Sequence, residues 1–184
     1  VKDFTLYTSI DATGDRAEYI RYGMNEHAFW QNTDRMLRET PSSMALSYMI
    51  TVNALSVSGL GPLLRRIADQ RRRYPQRFIG IDTPYLRRPA FLSVQILPPE
   101  FDQYLADTLI EMRTAGPTQF SEHELVKLER IRHWMRDAHQ HPGYQKRLQR
   151  EFWMFTQELD RRRGTSVQSV FPEYQTFLEY IAPR

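Results

Sequence analysis

Three short runs of strand-forming residues, 4–10, 44–52 and 77–81, alternate with two stretches of helical periodicity, and this alternation limits what the first half of the chain can become. The first run, Phe4-Thr-Leu-Tyr-Thr-Ser-Ile10, is aromatic and β-branched and ends at the turn signal Asp11-Ala-Thr-Gly14. From Asn25, a suitable N-cap, to Arg38, the residues Phe29, Trp30, Thr33, Met36 and Leu37 recur at helical spacing. Pro41-Ser-Ser43 ends that helix. Run 44–52 is nearly all apolar, as a strand covered on both faces is. A second helix, capped by Ser58, keeps Leu60, Leu63, Leu64 and Ile67 on one face and stops near Tyr74-Pro75. A strand at 77–81 completes the series. The connections are long enough for parallel pairing with right-handed crossovers. The expectation is an α/β fold containing a stretch of parallel sheet or barrel, with too few strands to close one.

Beyond Asp82 the character changes. The loop Thr83-Pro-Tyr-Leu-Arg-Arg-Pro89 leads to an apolar, strand-like run at 91–97, and Pro98-Pro99 opens a helix to about Thr114. Ser121 followed by Glu124 has capping-box spacing and starts a helix to about Ala138. A longer helix runs from about Tyr144 to Arg163, stopped by Gly164 at C′, and Phe171-Pro172 opens a last one to about Ile181. The chain therefore divides into a sheet-forming part, 1–97, and a mostly helical part, 98–184.

The 184 residues contain no cysteine, which excludes disulfides, thiol nucleophiles and thiolate-bound clusters held by this chain alone. No apolar run reaches the ~18 residues of a membrane span, and no signal-peptide pattern opens the chain, so a cytoplasmic location is expected. The sequence begins at Val1 inside an apolar run, as expected of a piece of something longer. The formal net charge is +3, and of 25 basic residues only Lys2, Lys127 and Lys146 are lysines. The arginine clusters 65–66, 71–73, 87–88 and 161–163 mostly lie among acids such as Asp69, Glu158 and Asp160, the pattern of solvated helix faces rather than a nucleic-acid footprint.

In α/β sheets, ligands bind beyond the carboxyl ends of the strands. Ser9, Asp11 and Arg21 follow the first strand, Asn53 the second, and Asp82, Thr83 and Tyr85 the third. A hydroxyl, two carboxylates, an amide and a guanidinium on one rim suit a small zwitterionic or phosphorylated ligand. The same residues equally suit local duties: Asp11 and Asp82 as loop caps, Asn53 as a turn former, Arg21 as partner of Glu18 or Asp15. His133, His139 and His141 do not match a zinc pattern. Phe152, Trp153 and Phe155 read as a helix-docking face.

Thr8-Ser-Ile-Asp11, Glu18-Tyr-Ile-Arg-Tyr-Gly23, Thr51-Val-Asn53 and the strand ending at Asp82 together resemble the fourth to sixth strands of a radical SAM barrel. Adding Ile81 to Pro89, Leu97-Pro98, Asp160-Arg-Arg-Arg-Gly-Thr165 and Phe171-Pro172, the chain is similar to radical SAM proteins that carry a twitch domain. The resemblance implies a partial (β/α) barrel over 1–97 and a twitch-like helical remnant over 98–184. It implies S-adenosylmethionine and a [4Fe–4S] cluster as cofactors, used for radical hydrogen abstraction. By it, Ser9 and Arg21 contact S-adenosylmethionine, Asn53 faces the same cofactor, and Asp11 and Asp82 face cofactor or substrate. The family's CxxxCxxC loop is absent, so the implied partner is a missing N-terminal half or upstream subunit carrying it. The rival expectation is a non-catalytic protein- or peptide-binding module on a degenerate half-barrel, able to self-associate through an open sheet edge.

Overall fold

The computed structural model describes residues 4–137 and 142–183. Strands β1 (Phe4–Ser9), β2 (Met44–Met49) and β3 (Ile79–Asp82) form one open sheet in the order β1-β2-β3, every pair parallel. Helices α1 (Asp15–Ile20) and α2 (Glu26–Glu39) connect the first two strands, and α3 (Leu60–Arg73) the second pair. The protein is thus mixed α/β and mostly helical, with a small sheet, as the alternating pattern requires.

The sheet is dressed on one face only. Leu46, Tyr48, Ile79 and Ile81 are buried beneath α2 and α3. The Trp30 ring of α2 lies 5.7 Å from the Tyr48 ring, tilted 50° to it, and the Tyr48 hydroxyl donates to Gln70 Oε1 of α3 at 2.5 Å. Fully burying such an apolar side chain is worth ~1.5–3 kcal/mol. Side chains alternate across a strand, so Thr5, Tyr7, Ser47, Met49 and Gly80 belong to the other face, which no helix among the described residues covers. There the exposed Phe78 ring leans across Gly80: a Cβ on Gly80 would lie 3.1 Å from that ring and 3.1 Å from Ser47 Oγ. A side chain at that position would push the Phe78 ring and the Ser47 hydroxyl back by a few tenths of an ångström.

The two sheet edges differ. Phe78 and Asp82 point their carbonyls at β2, so Ile79 O points away from it. Arg71 Nε caps that carbonyl at 2.9 Å and binds Glu124 of α5 (Glu122–Asp137) at 2.7 Å. On the opposite edge, β1 has no neighbour among the described residues, and Phe4, Leu6 and Tyr7 stand exposed on it. A second arginine, Arg77, fastens the start of the sheet. Its guanidinium donates to Leu37 O, Thr40 O, Thr40 Oγ1 and Met44 O at 2.6–2.9 Å.

The second half adds α4 (Asp102–Ala115), α5, α6 (Pro142–Arg163), α7 (Val167–Val170) and α8 (Gln175–Ile181). One continuous apolar cluster joins them to the sheet and α3. Tyr174 sits at its centre: its ring lies 4.7 Å from Phe101 and its hydroxyl donates to Ala54 O, in the loop after β2. Of the docking face read on α6, Phe152 is buried against Phe177, and Phe155 meets Phe91 at 5.2 Å.

Several local expectations need correction. Run 91–97 is not a strand but two 3₁₀ turns, Ala90–Leu92 and Val94–Ile96. Pro89 and Pro98 bracket it, and the Ser93 side chain accepts from Gln95 N at 3.3 Å, so its backbone closes on itself while Val94, Ile96 and Leu97 bury against the helices. Ser58 does not cap α3. It lies inside a 3₁₀ turn, Val57–Gly59, that runs straight into the helix, and it accepts from Arg16 at 3.3 Å. Gly59 holds the cap position because a Cβ there would come 3.0 Å from Ala12 Cβ. The strand read over 44–52 ends at Met49, with a single further bridge from Val52 to Tyr85. No helix among the described residues is long and apolar enough to cross a membrane.

Candidate functional site

The carboxyl ends of the three strands place Ser9, Met49 and Asp82 in one row of the uncovered face. At an inter-strand spacing of about 4.8 Å, Ser9 and Asp82 stand roughly 10 Å apart on the same surface. The Ser9 hydroxyl has no hydrogen-bond partner among the described residues. Asp82 is held by Lys127 of α5, whose Nζ lies 2.5 Å from its Oδ1, both side chains remaining about a third exposed.

Asp11, two residues beyond β1, is buried. Its Oδ1 accepts the Thr51 N–H at 2.7 Å, and its Oδ2 lies 2.8 Å from Arg21 Nε. Burial pushes the Asp11 carboxyl above its ordinary pKa, and the Arg21 charge and the Thr51 N–H pull it back only in part. Arg21 thus pairs with neither Glu18 nor Asp15. Glu18 instead accepts the Glu26 N–H at 3.0 Å. Arg21 keeps the C-cap position of α1, and its two terminal nitrogens have no acceptor among the described residues.

Asn53 is placed differently. Its Oδ1 accepts the Leu55 N–H at 2.9 Å and its Nδ2 donates to Thr51 O at 2.9 Å. The amide is spent on closing its own loop. The structure therefore joins Asp11 to Arg21, aligns Ser9 with Asp82, and turns Asn53 inward.

Two participants escaped the reading of the sequence. Lys127 reaches the rim from the helical half, and the signal for it was its rarity in an arginine-rich chain. On the same helix face, seven residues on, Trp134 lies 5.8 Å from Tyr85, with the exposed Arg87 guanidinium over both rings at 5.0 and 5.3 Å. Nothing in the spacing along the chain links residues 85 and 134.

His133 is exposed on the outer face of α5, while His139 and His141 fall outside the described residues. Among the described residues no group of three His, Cys, Asp or Glu could hold a metal ion. Three of the four arginine clusters are met by acids: Arg65 by Glu111, Arg72 by Asp69, Arg73 by Asp34, and Arg161 and Arg162 by Glu158. No family model, curated protein or solved structure matches the chain.

Proposed function

We propose that this chain is the C-terminal portion of a radical SAM enzyme, its three parallel strands forming an arc of a (β/α) barrel. The observation that carries the reading is the rim itself. A Ser9 hydroxyl with no partner among the described residues and the Asp82 carboxylate stand on one face at the carboxyl ends of β1 and β3, the outer two of the three parallel strands, and Arg21, after α1, pairs with Asp11 two residues beyond β1. Arg21 fits a ligand carboxylate, because Asp11 engages its Nε and leaves the terminal nitrogens open. Asn53 does not fit a cofactor contact, since its amide is occupied.

A [4Fe–4S] cluster does not fit the residues of this chain, which has no cysteine. The thiolates such a cluster needs belong to a segment outside this sequence, on the same or another polypeptide. S-adenosylmethionine, when bound to a complete enzyme of this kind, supplies the radical chemistry. This chain's residues would orient its polar groups.

Equilibrium dialysis tests the reading. The chain alone should bind S-adenosylmethionine no tighter than about 1 mM, because half a site lacks preorganisation. Joined to a segment bearing the cysteine loop it should bind iron and S-adenosylmethionine, and Arg21→Ala should abolish the latter. A coding sequence on the 5′ side with no such loop, together with unaltered binding in Arg21→Ala, would sink the proposal.

A second reading, a non-catalytic interaction module, is favoured by the bare apolar edge at β1 and by the internal engagement of Asn53 and of Arg21 Nε.

A further inference from the structure

We infer that the Tyr85–Arg87–Trp134 stack is an anion site, and that with Arg88 and Arg130 it takes the phosphoryl group of a small phosphomonoester. A contrast among the arginines that lie over aromatic rings carries the inference. Arg16, Arg66, Arg71, Arg73 and Arg147 each lie over one ring, and each pairs with a carboxylate. Arg163 lies over Tyr22 and donates to Tyr19 O. Arg87 lies over two rings and meets neither a carboxylate nor a carbonyl among the described residues. Its one hydrogen bond there runs from Nη2 to the Tyr85 hydroxyl at 2.5 Å, which leaves Nε and Nη1 without an acceptor.

The stack stands on a firm base. Val52 N donates to Pro84 O and Leu86 N to Val52 O, both at 2.8 Å, so backbone bonds grip the chain on either side of Tyr85. Trp134 comes from α5, and Gln95 Nε2 donates to its carbonyl at 2.9 Å. A guanidinium already fixed over two rings gives up little further rotamer freedom on binding. Its planar edge suits paired hydrogen bonds to an oxyanion.

The surrounding charge selects the anion. Lys127, on the same face of α5, is matched by Asp82 and adds no net charge. Arg88 is exposed beside Arg87, and Arg130 is exposed one turn before Trp134; neither makes an ion pair among the described residues. Residues 138–141, which follow α5, include no acid. The three guanidinium groups exceed what one carboxylate neutralises. A phosphomonoester, with about −1.5 to −2 charge at pH 7 and three acceptor oxygens, is the nearer match. The other arginine clusters are met by acids, so no basic track leads away from the stack for a polymer to follow.

Nuclear magnetic resonance titration of the full chain tests the site, with inorganic phosphate and adenosine 5′-monophosphate as probes. The chain has three tryptophans, and Trp134→Phe identifies the indole N–H signal that reports on the stack. Phosphate should move that signal in a saturable way, with Kd on the order of 1 mM. Equal affinity for the two probes assigns the site to the phosphoryl group alone, and tighter nucleotide binding adds a base stacked on Arg87; both support the inference. Arg87→Ala should weaken phosphate binding on the order of tenfold, and Arg87→Lys nearly as much, since lysine keeps the charge but lacks the planar fork. Arg130→Ala, expected to weaken it about threefold, gives a second variant should Arg87→Ala fold poorly. Arg161→Ala, which removes an exposed arginine paired with Glu158, should change nothing. An unmoved Trp134 signal at about 20 mM phosphate overturns the inference, as does equal weakening in Arg161→Ala and Arg87→Ala. An oligonucleotide without a terminal phosphate that binds tighter than the monophosphate overturns it in favour of nucleic acid. The site is independent of the cofactor reading: Arg21→Ala should leave phosphate binding unchanged, and a failure to bind S-adenosylmethionine would leave it standing.

Discussion

A carboxylate taken out of water must be compensated, and Asp11 shows how incompletely a single arginine does so. Its pKa rises on folding because burial outweighs Arg21 and the Thr51 N–H. A raised carboxyl favours its protonated form in the folded state, so this group's contribution is greatest below about pH 4 and is lost as the pH climbs through the folded value. Asp11→Asn keeps an acceptor for Thr51 N–H and removes the buried charge. Urea denaturation at pH 7 should find it no less stable than the parent, with a flatter stability profile as the pH rises above about 4. Asp102 behaves in the opposite sense. Burial works to raise it, but hydrogen bonds from Arg132 and Arg136 overcome that and hold it below its ordinary value. Its contribution is present above about pH 4 and disappears as the pH falls through the folded value. Asp102→Asn should cost about 1–2 kcal/mol at pH 7 and much less at pH 2.5, by the same measurement. Neither shift was legible from spacing: Arg132 and Arg136 meet Asp102 across thirty or more residues.

Where an element is closed by neighbours in the chain, its outline could be read in advance. Asn25 accepts the Ala28 N–H at 2.8 Å and starts α2 as its residue type suggests. The Ser121–Glu124 box forms, with Ser121 N donating to Glu124 Oε2 at 2.8 Å and Glu124 N to Ser121 Oγ at 3.4 Å. Gly164 ends α6, its N–H donating to Asp160 O at 2.8 Å. Where distant parts decide, the outline could not be read. The apolar run at 91–97 has the composition of a strand, but its place between α5 and α6 and its flanking prolines coil it into turns. The rim was half legible for the same reason. Asp11, Arg21, Ser9 and Asp82 announce themselves by following strands, but Lys127 arrives from a helix forty-five residues further on. Glu124 serves two elements at once, capping α5 and holding Arg71 at the edge of β3. Ser121→Ala should therefore cost about 1 kcal/mol as a lost cap. Glu124→Ala should cost about 2–3 kcal/mol, since it also leaves the half-buried Arg71 charge unpaired. Chemical denaturation of both variants separates the two duties.

At the scale of the molecule, Tyr174 ties the last helical segment to the loop after β2. Tyr174→Phe keeps the ring packing and strands the buried Ala54 carbonyl, so it should lower the unfolding free energy by about 1–3 kcal/mol without changing the cooperativity of the transition. The order of assembly follows from Arg77. The last carbonyls of α2 and the first of β2 are satisfied by a side chain that enters only with the third strand. Neither the end of that helix nor the start of the central strand can settle until some forty residues further have been made. The strand–helix pair at the N-terminus is thus not a unit that folds alone. On a ribosome, Leu37, Thr40 and Met44 would emerge with these carbonyls open to water and be closed together when Arg77 arrives, which makes this guanidinium a clasp in time as well as in space.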